Sequence, residues 1–217
     1  MKDNINKWYL LPGMGANASM YDLLRQELSF EINFIDWPKY SGEKTYAATA
    51  KRIIEENGIE DGVVVGGSSL GGMVATEIAR QRKLKAVVLI GSAISQEEVM
   101  SLLSLLAPLS AITPISLIQL LVGKHDHVIT KMFAKADTEF IRAICQYLPQ
   151  WSGTDASTVP LFRLHGQRDQ LIPCPKNGCE VVPNAGHLLA LTHPKECGIF
   201  LNIIERQLTD GVMPHVI

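Results

Sequence analysis

The chain is poor in the features that would tie it to a disulfide scaffold, a nucleic acid or a membrane. It has only four cysteines, Cys145, Cys174, Cys179 and Cys197, at irregular spacing. That is too few and too scattered for a disulfide framework. Cys174 and Cys179 lack the second ligand pair that a metal site needs, so all four read as ordinary thiols. Charge of either sign is not in excess, with 20 basic and 22 acidic side chains, net −2 and a pI near 6.3. Nucleic acids and anionic membrane surfaces both select a basic patch, so neither is expected as a partner. The start, MKDNINKWYLLPG, has no apolar run long enough for the core of a signal peptide. A reduced, cytoplasmic protein is the simplest expectation.

Charge is also missing from Val99 to Gly123, a stretch long enough to cross a bilayer. Pro108 and Pro114 interrupt it, and Ser101, Ser104, Ser110, Thr113, Ser116 and Gln119 scatter polar groups through it. Lys124-His125-Asp126-His127 follows at once. No stable membrane insertion is expected; a pair of short helices covering an apolar pocket is. A membrane-associated lipase using this stretch is the alternative.

The 217 residues suffice for one domain with a sizeable core. Hydrophobic residues make up 47% and charged residues 19%, an ordinary globular balance. Short apolar runs alternate with helical periodicity. Strands are read at Lys7–Leu11, Glu31–Asp36, Val63–Val65, Ala86–Ile90, Val159–Leu164 and Glu180–Val182. Helices are read at Tyr21–Leu28 (with Ser19 as cap), Thr45–Asn57 (ending at Gly58), Leu70–Gln81 and Pro194–Gln207. Such alternation implies an α/β domain with a mostly parallel, doubly wound sheet of about six strands. Residues 94–157 break the pattern and read as a helical cap inserted between the fourth and fifth strands.

Val63–Gly72 reads VVVGGSSLGG and contains Gly67-Ser68-Ser69-Leu70-Gly71, a G-x-S-x-G match between strand and helix. A serine on such a sharp turn projects its Oγ into a cleft, and the flanking Gly67 and Gly71 let strand and helix approach. Ser68 is the competing serine, but Leu70 two places on would crowd its turn. A serine hydroxyl needs an imidazole to take its proton. His187 lies in a short loop just past the last strand and Asp169 just past the fifth, giving the order Ser69, Asp169, His187. His165 reads as structural, bonding within its own turn. His125 and His127 read as a solvated turn rather than a metal site, and His193 as the start of the last helix. The developing oxyanion needs backbone donors. Leu70 N–H and Met14 N–H, in Leu11-Pro12-Gly13-Met14-Gly15, are the candidates, although that glycine loop also reads as a simple β-turn.

With these residues in view, the chain resembles the α/β-hydrolase superfamily, in its esterase and thioesterase branch. LPGMG stands for the usual H-G-x-G loop and DWP follows the next strand. GSSLGG forms the elbow, HGQRDQLIP surrounds the acid and NAGHL surrounds the base. The resemblance implies a cap over the active site, no cofactor, and a small-molecule ester or thioester as partner. There are departures: Pro12 replaces the usual histidine, the leading hairpin has no counterpart, and only 17 residues separate Asp169 from His187. The last implies that the helix usually found there is reduced to a loop. Leu and Ile in the insertion suggest an apolar acyl group. Acyl transfer, C–C bond hydrolysis or a lyase step could use the same triad, since fold does not fix chemistry. A ligand-binding protein that retains the triad is a further alternative. Trp37 and Trp151 read as core or as the border of the entrance.

Overall fold

The computed structural model describes residues 6–99, 136–153 and 159–211. Most of the expected cap, with His125, His127 and the uncharged stretch from Met100 onward, lies outside them. Strands β1 (Trp8–Leu11), β2 (Asn33–Phe34), β3 (Val64–Ser68), β4 (Ala86–Ile90), β5 (Leu161–Gly166) and β6 (Glu180–Val182) form one sheet. Its order is β2-β1-β3-β4-β5-β6 and every pairing is parallel.

Because every inner strand is covered on both faces, its residues alternate between two cores. Tyr9, Leu11, Val65, Val87 and Leu89 face one core with α2 (Tyr46–Asn57) and α3 (Leu70–Ala79). Trp8, Leu10, Val64, Val88 and Ile90 face the other, with α1 (Asp22–Arg25) and the last helix (Pro194–Asp210). This is the doubly wound arrangement that the near-continuous apolar runs imply. The chain winds from β1 to β2 in one direction and from β3 to β6 in the other. The switch point therefore falls between β1 and β3, where α/β sheets open a crevice at their carboxyl ends.

Local chemistry sets the element ends. Thr45 Oγ1 accepts Ala48 N–H at 3.0 Å at the start of α2, and Gly58, with φ 58°, closes it. Gly211, with φ 69°, closes the last helix, which runs three residues past its expected end at Gln207. Other boundaries need larger correction. Only Asn33–Phe34 of the expected second strand pairs, since it is an edge strand. The helix expected over Tyr21–Leu28 is a 3-10 turn, Ala18–Tyr21, followed by the four-residue α1. Its cap is Asn17, whose side chain accepts Ser19 N–H, rather than Ser19. β3 continues through Gly66 and Gly67 to Ser68, three residues beyond the expected strand.

Within the expected cap, α4 (Thr138–Tyr147) is an amphipathic helix capped by Asp137, which accepts Glu139 and Phe140 N–H. It is fixed to the sheet domain. Asp137 accepts Tyr40 N–H at 2.9 Å, Phe140 stacks near Trp37 at 5.1 Å, and the Tyr147 hydroxyl donates to the Glu43 carbonyl at 2.5 Å. Trp151, just beyond, is buried and donates its indole N–H to Glu77 of α3 at 3.0 Å. Burial raises the Glu77 carboxyl above its ordinary range. Between β6 and the last helix lies a short helix, α5 (Leu189–Thr192), with no counterpart in the sequence reading; the last helix is α6.

Candidate active site

Ser69 follows β3 directly and opens α3. Its φ of 52° and ψ of −120° lie where a residue with a Cβ is strained. The neighbouring backbone leaves no room to relax it. A Cβ on Gly67 would fall on the backbone of Gly71 and Gly72, and one on Gly71 on the carbonyls of Leu11 and Pro12. The glycines therefore let α3 start against both its own strand and the loop after β1. Ser69 N–H donates to the Ile90 carbonyl at 3.1 Å, and its own carbonyl accepts from Ser92 Oγ at 2.6 Å. Ser69 is half-buried, whereas Ser68 is buried with its hydroxyl against Tyr21 at 2.9 Å.

The two remaining side chains arrive from the carboxyl end of β5 and from the loop after β6. Asp169 Oδ1 accepts Leu171 and Ile172 N–H at 2.9 and 3.0 Å, which turns Oδ2 toward His187 Nδ1 at 2.8 Å. His187 Nε2 lies 2.9 Å from Ser69 Oγ. A carboxylate can only accept, so the proton on the imidazole sits on Nδ1 and leaves Nε2 free to accept from the serine hydroxyl. The Asp169 side chain has no solvent exposure and that of His187 has 10%. Between β5 and β6 the described chain contains no helix, in keeping with the short spacing. The two loops are tied to each other: Arg168 N–H donates to the Ala185 carbonyl, and a Cβ on Gly166 would strike Ala185 and Gly186.

The loop after β1 lies against the serine. Gly13 is so close that a Cβ there would sit 3.7 Å from Ser69 Cβ. Ala16 N–H donates to the Gly13 carbonyl at 3.1 Å and Gly15 has φ 70°, a turn with Met14 at its second position. The turn and the donor role are thus compatible. Neither Met14 N–H nor Leu70 N–H has an acceptor among the described residues.

A second layer supports the serine from behind. The Ser92 carbonyl accepts from Arg163 Nη2 at 3.2 Å and bonds His165 Nε2 at 2.9 Å. Arg163 also pairs with Glu98 at 2.7 Å. His165 is therefore structural, but it bonds across to Ser92 rather than within its own turn. Its Nδ1 has no partner among the described residues, and burial lowers its pKa from the ordinary value. His193 stands at the N-cap of α6 as expected, its Nδ1 2.8 Å from Thr192 Oγ1. No group of three or more metal-binding side chains occurs among the described residues.

A cleft of about 480 Å3 opens beside Gly15 and Ala16. Trp37, Phe140 and Ile141 give it an apolar wall, with Asp36 and Lys39 at its exposed rim. Trp37 Nε1 donates to the Gly13 carbonyl at 2.9 Å, so Trp37 borders the cleft while Trp151 belongs to the core.

The model of the alpha/beta hydrolase family matches residues 9–197. The chain belongs to the alpha/beta hydrolase family. A search of curated proteins finds no match. Among solved structures, this alpha/beta hydrolase is similar in fold to a thermophilic esterase from Thermogutta terrifontis, with TM-score 0.74 and 20% identity over 94% of this chain and 90% of the other. It is also similar to the N-acyl homoserine lactonase AidH, with TM-score 0.73 and 17% identity over 99% and 92%. A membrane phospholipase A matches with TM-score 0.70 and 16% identity over 99% and 81%. Among the described residues of this family member, no helix is long and apolar enough to cross a membrane.

The residues singled out in the sequence converge on one place in the hydrolase, at the carboxyl ends of β1, β3 and β5 and the loop after β6. Two contributors escaped the sequence reading. Ser92 had a usable signal, as the residue after Gly91 at the end of the strand beside the elbow. Tyr21 had none, because its contacts depend on how loops cross.

Proposed function

We propose that this alpha/beta hydrolase is a serine hydrolase that cleaves a carboxylic ester or thioester through an acyl-enzyme. The observation that carries this reading is the unbroken line from Ser69 Oγ through His187 to Asp169, at 2.9 and 2.8 Å, with Ser69 held in a strained turn. Ser69 Oγ attacks the carbonyl carbon as its proton passes to His187 Nε2. Asp169 stabilises the imidazolium and holds its orientation. The amides of Met14 and Leu70 receive the oxyanion, each worth roughly 3–4 kcal/mol of barrier. His187 then returns the proton to the leaving oxygen or sulfur. Water, deprotonated by His187, attacks the acyl-enzyme and releases the acid and Ser69. No step calls for a metal or an organic cofactor.

The fold neighbours named as esterase, lactonase and phospholipase A agree with ester chemistry. The Leu- and Ile-rich insertion is the ground for an apolar acyl group. The cleft walled by Trp37, Phe140 and Ile141 lies beside the loop after β1, and Ser69, Asp169 and His187 are not among its lining residues. In this reading α4 is the return limb of a cap over residues 94–157.

Hydrolysis of p-nitrophenyl esters from acetyl to dodecanoyl, by wild type and Ser69→Ala, tests the proposal. Wild type is expected to turn over, with Ser69→Ala reduced by about three orders of magnitude or more. A folded wild type inert toward every ester would move the reading to a lyase or a binding protein. Faster product formation with an added alcohol or thiol acceptor would move it to acyl transfer.

A further inference from the structure

We propose that Tyr21 is a positioning residue that sets the spacing of the two oxyanion donors, by joining the carboxyl ends of β1 and β3 through its hydroxyl. The inference rests on the reading of Ser69 as nucleophile and of Met14 and Leu70 amides as donors.

The two amides come from different strands, so their separation depends on how the ends of β1 and β3 are held together. The regular pairing of these strands ends with Leu11 opposite Gly67. The Tyr21 hydroxyl sits at that point. It donates to the Leu11 carbonyl at 2.6 Å, accepts Ser68 N–H at 3.2 Å and lies 2.9 Å from Ser68 Oγ. One oxygen thus contacts the last residue of β1 and the last residue of β3. Met14 lies three residues beyond the first, and Leu70 two residues beyond the second.

The arrangement continues along the loop. Met20, the residue before Tyr21, accepts Gly13 N–H on its sulfur at 3.3 Å. Trp37 holds the Gly13 carbonyl. With both polar groups of Gly13 committed, the next amide, that of Met14, has its direction set. The tyrosine ring is itself immobilised. It has no solvent exposure and packs on Phe34 at 4.9 Å between ring centroids, and the Arg25 guanidinium lies 4.0 Å from the centroid of the Phe34 ring. Burial pushes the phenol far above its ordinary pKa, so it stays neutral and keeps its one proton for Leu11. A phenol so placed cannot exchange protons with the substrate, which makes its role geometric. Oxyanion donors act on the transition state and little on the ground state, so a small error in their spacing lowers kcat and leaves KM in place.

The test is Tyr21→Phe in the full chain, which keeps the ring and removes the oxygen. Its kcat on a p-nitrophenyl ester is expected to fall about ten- to hundredfold, the scale of weakening one donor, with KM within about threefold. Its inhibition constant for butylboronic acid, whose adduct with a nucleophilic serine is tetrahedral, is expected to rise in parallel. The pH profile should keep its shape. A purely structural role would lower the thermal midpoint while leaving kcat and boronate affinity as in wild type, and that result overturns the proposal. If Tyr21→Phe does not fold, the hydroxyl is needed for the fold itself, and that result too overturns a role confined to positioning the donors. Loss of activity in Ser69→Ala alongside normal kinetics in Tyr21→Phe removes this inference alone. Retained activity in Ser69→Ala removes the nucleophile reading beneath it.

Discussion

The two halves of the site are held by different physics. On the nucleophile side the constraint is steric: Ser69 is strained, and Gly67 and Gly71 approach neighbouring backbone too closely for any Cβ. On the acid–base side it is polar: Asp169 is oriented by two loop amides, and the loops of Asp169 and His187 bond to one another. The first cannot be altered without moving strand or helix. The second can lose a hydrogen bond while the chain path survives. Fold and chemistry should therefore respond separately to substitutions on the two sides.

The largest expected effect is chemical and falls on the acid–base side. In Asp169→Asn the amide oxygen can still accept Leu171 and Ile172 N–H, so the loop keeps its form. Its NH2 group then donates to His187 Nδ1, which moves the ring proton to Nε2 and deprives Ser69 of its base. We expect kcat to fall by roughly 10³–10⁴ with the thermal midpoint nearly unchanged. A large loss of stability would break the comparison.

Next comes a steric effect on the nucleophile side. Gly71→Ala drives a Cβ into the Leu11 and Pro12 carbonyls. The loss should exceed about 2 kcal/mol, since backbone on both sides must move. Chemical denaturation measures it. A stable, active Gly71→Ala would show that the elbow is looser than its contacts imply.

The smallest effect concerns the layer behind the serine. Burial lowers the pKa of His165, so the unfolded chain binds a proton at a pH where the folded chain does not. The stability that neutral His165 contributes is present above its unfolded pKa of about 6.5 and declines as pH falls below it. Thermal midpoints between pH 7.5 and 5.5 should fall more steeply for wild type than for His165→Gln. Equal slopes would mean that the imidazole takes up its proton without cost.

The same contrast explains what the sequence made legible. Steric demands leave few residue choices, so GSSLGG between an apolar strand and a helix pointed to Ser69 and to both elbow glycines. The order of Asp169 and His187 followed from their places just after strands. Strand alternation gave the parallel sheet because each inner strand must fill two cores. Edge pairing was less legible: EINFID looks like a full strand, yet only Asn33–Phe34 pairs, since an edge is stabilised from one side. Tyr21 was hidden within an apparent helix, and its bond to Leu11 depends on a loop crossing that local periodicity does not encode. His165 was read as structural, but its partner lies 73 residues away in Ser92.

The most direct test of the central claim is the site of reaction with a fluorophosphonate, which modifies only an activated serine. Wild type should gain a single adduct, located on Ser69 by peptide mass analysis, and Ser69→Ala should gain none. An adduct on Ser68, or none on a folded wild type, would contradict the account.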